Sequence, residues 1–177
     1  MARSSFDRQQ LSRSKVDLYL ECPRCFFEDV VRRNRRPSGP SFTLNIAVDA
    51  LFKREFDGYR AKQQPHPLFA TVGLDAVPLQ DSRLEQWRTN FTGVRWLDTE
   101  TGWTLCGAVD DLWLGADGHV MVADYKATSK AGDITTESLY PGYRRQMDIY
   151  QCLLAQQDLT VSDRAWFVYA NGLKTED

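Results

Sequence analysis

No apolar run in the 177 residues approaches the 18 needed to cross a bilayer, so the sequence offers no membrane span. The opening stretch, Met1 to Gln10, is polar and lacks the apolar segment of a secretory signal; it is expected to be flexible, and a cytoplasmic location is the default. Cysteine is confined to Cys22, Cys25, Cys106 and Cys152, with no secretory context to oxidise them, so reduced thiols are expected rather than a disulfide scaffold. Internal repeats and low-complexity tracts are missing too. The balance of 42% hydrophobic and 26% charged residues excludes a wholly disordered or collagen-like chain. A chain of this length buries a sizeable core without staples, and residues 11–177 are read as a single domain.

The net charge of −2 conceals a division. Residues 1–60 hold 12 Lys/Arg against 8 Asp/Glu, whereas residues 61–177 hold 10 against 16. Arg32, Arg33, Arg35 and Arg36 supply much of the basic excess. Such a cluster suits phosphate contacts; it equally suits a solvated helix end followed by a turn. The acidic total argues against tight general DNA binding.

Ser12 or Ser14 caps a predicted helix through Val16, Leu18, Tyr19 and Phe26 that ends near Arg36-Pro37. Pro37-Ser-Gly-Pro40 is a breaker. Leu44, Ala47, Val48, Leu51, Phe52 and Glu55 then recur at helical spacing, predicting a long amphipathic helix from Thr43 to about Arg60. Residues 61–90, with Pro65, Pro67 and Pro78, read as an irregular connection. Strand signals follow at 91–97, at 103–114 as one strand, and at 120–126, with turns at Glu100-Thr-Gly102 and Ala116-Asp-Gly118. Pro141 to about Gln157 reads as a helix and Ala165–Tyr169 as a short last strand. The expected order is helix, a three-stranded meander, helix, strand.

The chemistry concentrates in the middle strands. In a strand alternate side chains share a face, so Asp124 and Lys126 point one way and Tyr125 the other. Hairpin pairing brings Asp110 or Asp111 close to Asp124. Two adjacent carboxylates repel, and a hard divalent cation relieves the repulsion; Mg²⁺ takes one or two carboxylates plus waters and substrate phosphate. Lys126 beside them is placed to hold or deprotonate a water. An Asp–Lys salt bridge at a strand end explains the same pattern without chemistry. On the following helix Gln146 and Tyr150 sit four apart and share a face, preceded by Arg144 and Arg145; they suit phosphate or base contacts, and Tyr150 equally suits a core aromatic.

Gly107-x-x-Asp110, then Asp124-x-Lys126 after a hairpin, then Gln146-x-x-x-Tyr150 on a helix resembles the RecB-like branch of the PD-(D/E)XK nuclease superfamily. Leu11-Ser-Arg-Ser14 with Tyr19-Leu-Glu-Cys22-Pro23 is similar to the opening helix of that branch. The resemblance covers residues 11 to 170. It implies a restriction-endonuclease-like α/β fold, with an αβββαβ core and a central mixed sheet flanked by helices. It implies Asp110 and Asp124 as metal carboxylates, the Tyr125 carbonyl as a further ligand, Lys126 as the catalytic lysine, and Gln146 and Tyr150 beside the substrate. Asp111 is then expected to face away or support the site from behind.

Two departures stand out. RecB-like nucleases often carry a metal-reaching His on the long early helix, where this sequence has Asp49, itself a competent ligand for Mg²⁺ or Mn²⁺. Some relatives hold an iron–sulfur cluster through an early Cys and a late Cys trio. Nothing after Cys152 supplies that trio, so no cluster is expected. The expectation is a Mg²⁺- or Mn²⁺-dependent nuclease acting on DNA or RNA, with DNA favoured. The alternative is an inactive nucleic-acid- or partner-binding module on the same fold. No helicase motif is present, so processive unwinding would need a partner chain such as a helicase.

Overall fold

The computed structural model describes residues 9–35, 37, 39 and 43–173. In chain order these form β1 (Gln10–Ser12), α1 (Arg13–Glu21), α2 (Pro23–Phe26, continuing as a π turn over Phe27–Val31), α3 (Thr43–Lys62), α4 (Pro67–Thr71), β2 (Ala76–Pro78), α5 (Leu84–Trp87), β3 (Val94–Leu97), β4 (Thr104–Gly107), β5 (Asp111–Gly115), β6 (Val120–Thr128), α6 (Pro141–Ala155) and β7 (Val161–Asn171). Two mixed sheets result, of order β1-β4-β3 and β2-β5-β6-β7. β5 and β6 pair antiparallel, Asp111 opposite Ala123, and β6 pairs parallel with β7. This is the expected α/β architecture of mixed sheets flanked by helices.

β6 has the near-continuous apolar run of a strand buried on both faces. Met121, Ala123 and Tyr125 face α3 and join Phe56, Phe69 and Trp113 in one core cluster. Val120 and Val122 face the other way, against Met147, Tyr150, Leu153 and Leu154 of α6. By the same alternation Asp124 and Lys126 lie on the α6 side. No helix among the described residues is long and apolar enough to cross a membrane.

Several expectations are revised. The first helix does not run to Arg36-Pro37. It stops at Glu21, because Pro23 disfavours helical backbone at Cys22, which takes φ −156° and ψ 96°; the helical trace resumes and ends at Val31. Of the Pro37–Pro40 breaker, Ser38 and Pro40 lie outside the described residues, as do residues 1–8 of the expected flexible start. Gln10 belongs to β1, a strand too short to read from pattern and formed by parallel pairing with β4. The connection over 61–90 contains α4, β2 and α5. His66 caps α4 by accepting from Leu68 N, with Pro67 in the first turn, where its missing N–H is not needed.

The largest revision concerns 103–114. It is not one strand of a meander: β4 ends at Gly107, the chain bends through 108–110, and β5 begins at Asp111 in the other sheet. The bend is fixed by its neighbours. Val109 is fully buried, and its N–H donates to Trp87 O at 3.1 Å, while Arg88 Nε donates to Asp110 O at 2.9 Å.

Beneath the bend lies a buried charge network. Asp111 is 0% exposed and accepts from Arg60, from Arg88 Nη2 at 3.0 Å and from the Tyr125 hydroxyl at 2.6 Å. Both arginines also donate to Asp57. Removing one partner of such a group strands the others in low dielectric. Asp111→Ala should therefore lower unfolding free energy by about 3–5 kcal/mol in a urea melt. Asp110→Asn should move it far less, and equal losses would show that Asp111 is not a structural anchor.

Candidate active site

The site forms where β5 and β6 diverge. Asp110, just before β5, accepts from Tyr125 N through Oδ2 at 3.0 Å, which ties it to the centre of the Asp-x-Lys strand. A strand residue's N–H and C=O point to the same edge, so the Tyr125 carbonyl also faces the Asp110 side, past the start of β5. Tyr125's side chain points away, stacking on Phe52 with ring centroids 5.0 Å apart. Its hydroxyl is pushed far above the usual range by burial and by the Asp111 charge.

Asp124 is 1% exposed. Burial, and then the neighbouring Asp110 charge, push its carboxyl up to about 7, against the opposing pull of Lys126. Lys126 pairs directly with Asp124 Oδ2, and its ammonium lies 4.9 Å from the Tyr143 ring centre and 5.8 Å from that of Phe167. Two aromatic walls thus confine the cation. Gln146 Nε2 donates to Asp124 Oδ1 at 2.5 Å and reaches the Tyr150 hydroxyl at 3.3 Å. Burial, then the charges of Asp124 and Asp110, raise the Tyr150 hydroxyl, which stays neutral as it accepts from Gln146 Nε2.

Glycine at 107 follows from the same packing. A Cβ there would lie 2.6 Å from Tyr150 Cε1 and 3.3 Å from Leu153 Cδ1, so the Gly-x-x-Asp and Gln-x-x-x-Tyr segments interlock. Gly107→Ala should push the buried Tyr150 ring aside and destabilise the fold by about 1–3 kcal/mol in a denaturant melt. A neutral result would mean that the ring has room to move.

Asp49 reaches the site from α3. Lys53, one turn on, lies 2.8 Å from Asp49 Oδ2 and 3.3 Å from Asp110 Oδ1. Burial raises the Asp49 carboxyl, Lys53 opposes that, and the Asp110 charge adds to it. Arg144 and Arg145 are engaged elsewhere: Arg145 Nε donates to Asp17 at 2.7 Å, and Arg144 donates to Thr136 O. Besides Arg88 on the Asp110 carbonyl, the guanidinium of Arg13 touches the site, its Nη2 donating to Gln146 Oε1 at 3.2 Å. It lies 133 residues away in sequence, so no local pattern announces it. Lys53 was legible in principle, as the i+4 partner of Asp49. His66 stacks on Phe56 and bonds Glu55, away from the carboxylates. Cys22 and Cys25 have Sγ atoms 2.8 Å apart; Cys106 is on β4 and Cys152 is exposed on α6.

Alongside opens a cleft of about 560 Å³ between the N-terminal segment and the β3–β4 hairpin. Arg13, Lys15, Arg33, Arg35, Arg95 and Tyr150 line it in part, and Phe91, 87% exposed, stands at its wall. Of the arginine cluster, Arg33 and Arg35 thus face the cleft, Arg32 pairs with Glu28, and Arg36 lies outside the described residues.

Among the described residues no three His, Cys, Asp or Glu side chains stand together as a ready metal cage. The donor set nonetheless fits Mg²⁺, which needs only one or two carboxylates and keeps its waters. Asp110 and Asp124 are adjacent, the Tyr125 carbonyl lies on the Asp110 edge of β6, and Asp49 Oδ1 is buried with no hydrogen-bond partner.

Mixed sheets flanked by helices, with carboxylates and a lysine gathered where two central strands diverge, define a restriction-endonuclease-like fold. The chain belongs to the PD-(D/E)XK nuclease superfamily, whose sequence model matches residues 36–176. Membership carries a nuclease fold, nucleic acid as the substrate class and the superfamily's usual dependence on divalent metal. No curated protein and no solved structure gives a significant match.

The raised Asp124 carboxyl has a consequence for metal-free protein. The folded state keeps a proton that the unfolded chain, with its carboxyl at 3.8, has released, so this group weakens folding as pH rises from about 4 to about 7. In EDTA, wild type should lose Tm relative to Asp124→Asn across that window and hold a constant gap above it. A gap that stays flat from pH 4 to 8 would mean that Asp124 is comfortable as an anion.

Proposed function

We propose that this chain is a metal-dependent nuclease of the RecB-like branch, hydrolysing phosphodiester bonds of DNA or RNA, DNA being favoured. One observation carries the reading: Asp124 and Lys126 share a face of β6 beside Asp110, with Gln146 directed at the same carboxylate. A Mg²⁺ or Mn²⁺ ion held by Asp110, Asp124 and the Tyr125 carbonyl, with Asp49 in reach, would supply positive charge to the phosphate as negative charge develops on it.

The protein's own groups do the rest. Lys126, confined by Tyr143 and Phe167, holds the attacking water and helps remove its proton. Gln146 fixes the Asp124 carboxylate, and Arg13, bonded to Gln146, connects that carboxylate to the basic cleft. Tyr150 presents its neutral hydroxyl at the cleft wall. Basic side chains with an exposed aromatic suit a single strand, its phosphates on Arg33 and Arg35 and a base stacked on Phe91. Of the two basic clusters that the sequence offered for phosphate contacts, this reading uses Arg33 and Arg35 of the first rather than Arg144 and Arg145.

Lys126→Ala and Asp124→Ala should each abolish cleavage of labelled single- and double-stranded DNA and RNA in Mg²⁺ or Mn²⁺ while circular dichroism stays native. Near-normal cleavage by folded Asp124→Ala protein would remove the nuclease reading and leave a binding module with a structural Asp–Lys pair. Phe91→Ala should weaken single-strand binding by about 1–3 kcal/mol in a fluorescence titration and leave the melting curve in place. Unchanged affinity would show that the strand runs elsewhere.

A further inference from the structure

We propose that Lys53 is a built-in stand-in for the divalent cation: its ammonium holds Asp49 and Asp110 together while no metal is bound, and metal binding drives it out. The inference rests on the metal-dependent reading above and adds a residue to it.

The geometry distinguishes Lys53 from an ordinary helix-surface lysine. An i,i+4 pair with Asp49 would be satisfied on α3 alone, yet the same Nζ also reaches Asp110, 57 residues away and across the site. It is 21% exposed, so the two carboxylates meet across a largely desolvated ammonium. Asp49 offers a further, unpartnered oxygen at Oδ1, which the lysine leaves unsatisfied. With Lys53 on Asp49 and Asp110, and Lys126 on Asp124, each of the three carboxylates already has an ammonium partner.

Charge counting points the same way. Once all three carboxylates are ionised, as they must be to hold a cation, two ammonium groups leave one negative charge unbalanced. A divalent ion added beside both lysines overshoots by one positive charge, and it balances if Lys53 withdraws. A lysine suits this role because its point charge sits on a flexible four-carbon stem, whereas an arginine fork would hold both carboxylates in fixed geometry. The ammonium and the metal therefore compete for Asp110 and Asp49, and each weakens the other's hold by the same factor.

Two measurements test it on the full chain. Acetylation of lysines by an active ester, mapped by mass spectrometry, should label Lys53 several-fold faster in millimolar Mg²⁺ than in EDTA, with exposed Lys62 as an unchanged internal standard. Lys53→Met should bind Mn²⁺ about tenfold tighter than wild type by electron paramagnetic resonance titration. It should also melt lower when metal-free, because Asp49 and Asp110 then face each other without a cation. If wild type binds Mn²⁺ but Lys53 labelling stays level or falls on loading, Lys53 is a fixed tether and the inference is overturned. The same holds if Lys53→Met binds Mn²⁺ no more tightly. If neither protein binds Mn²⁺, the metal-dependent reading itself fails and takes this inference with it.

Discussion

Carboxylates crowded at the point where β5 and β6 separate set the terms for everything around them. Asp110 and Asp124 are held together by backbone: the Tyr125 N–H fixes one, and strand register fixes the other. They cannot move apart to relieve repulsion, so positive charge must be brought to them. The surroundings do this in two distinct ways. At the site itself the cations are lysines, Lys53 between Asp49 and Asp110 and Lys126 on Asp124. Beneath it, Asp111 is neutralised by two arginines, each donating an Nη2 to its Oδ1 and held in turn by Asp57. Consecutive aspartates thus have opposite fates, because strand alternation directs Asp111 toward α3 while Asp110 stays in the bend before the strand.

α3 serves both fates from one stripe. Asp49, Lys53, Phe56 and Arg60 recur at spacings of four, three and four, so they share a helix face. The N-terminal part of that face reaches the open site, the middle packs its aromatics on Trp113 and Tyr125, and the end places Arg60 on Asp111. A rotation of the helix that disturbed the site would also pull Arg60 from its buried partner. The structural network therefore fixes the angle at which Asp49 and Lys53 meet Asp110. Arg88 adds a second tie, since it bonds the Asp110 carbonyl and the Asp111 carboxylate together.

Local periodicity made α3, β6 and α6 legible in the sequence, because each buries a face whose spacing survives without context. The alternation that sets Asp124 and Lys126 opposite Tyr125 was legible for the same reason. The break at 108–110 was not: Val109 and Leu112 are both β-formers, and only the contact with Trp87 and Arg88 shows that the chain leaves one sheet for another. β1 was hidden because three residues carry no period and the strand exists by pairing with β4. Arg13 and the cleft were hidden because they join segments far apart in the chain. Arg144 and Arg145 misled as isolated charges, their partners being Asp17 and the Thr136 carbonyl.

On the RecB-like reading proposed above, the Asp49–Lys53 pair makes physical sense as a unit in place of a neutral imidazole. A histidine at that position would add a ligand without adding charge. An aspartate there adds a third negative charge to a site already strained by two, and burial raises its carboxyl further. Left alone it would protonate or push α3 from the sheet. A lysine one turn later cancels the added charge, and burial, which alone would drive it neutral, is outweighed by Asp110 and Asp49 so that it stays charged. The departure at 49 is therefore intelligible only together with residue 53. Either residue substituted alone leaves a charge unbalanced in a half-buried site, whereas the pair together leaves the local charge as a histidine would have left it.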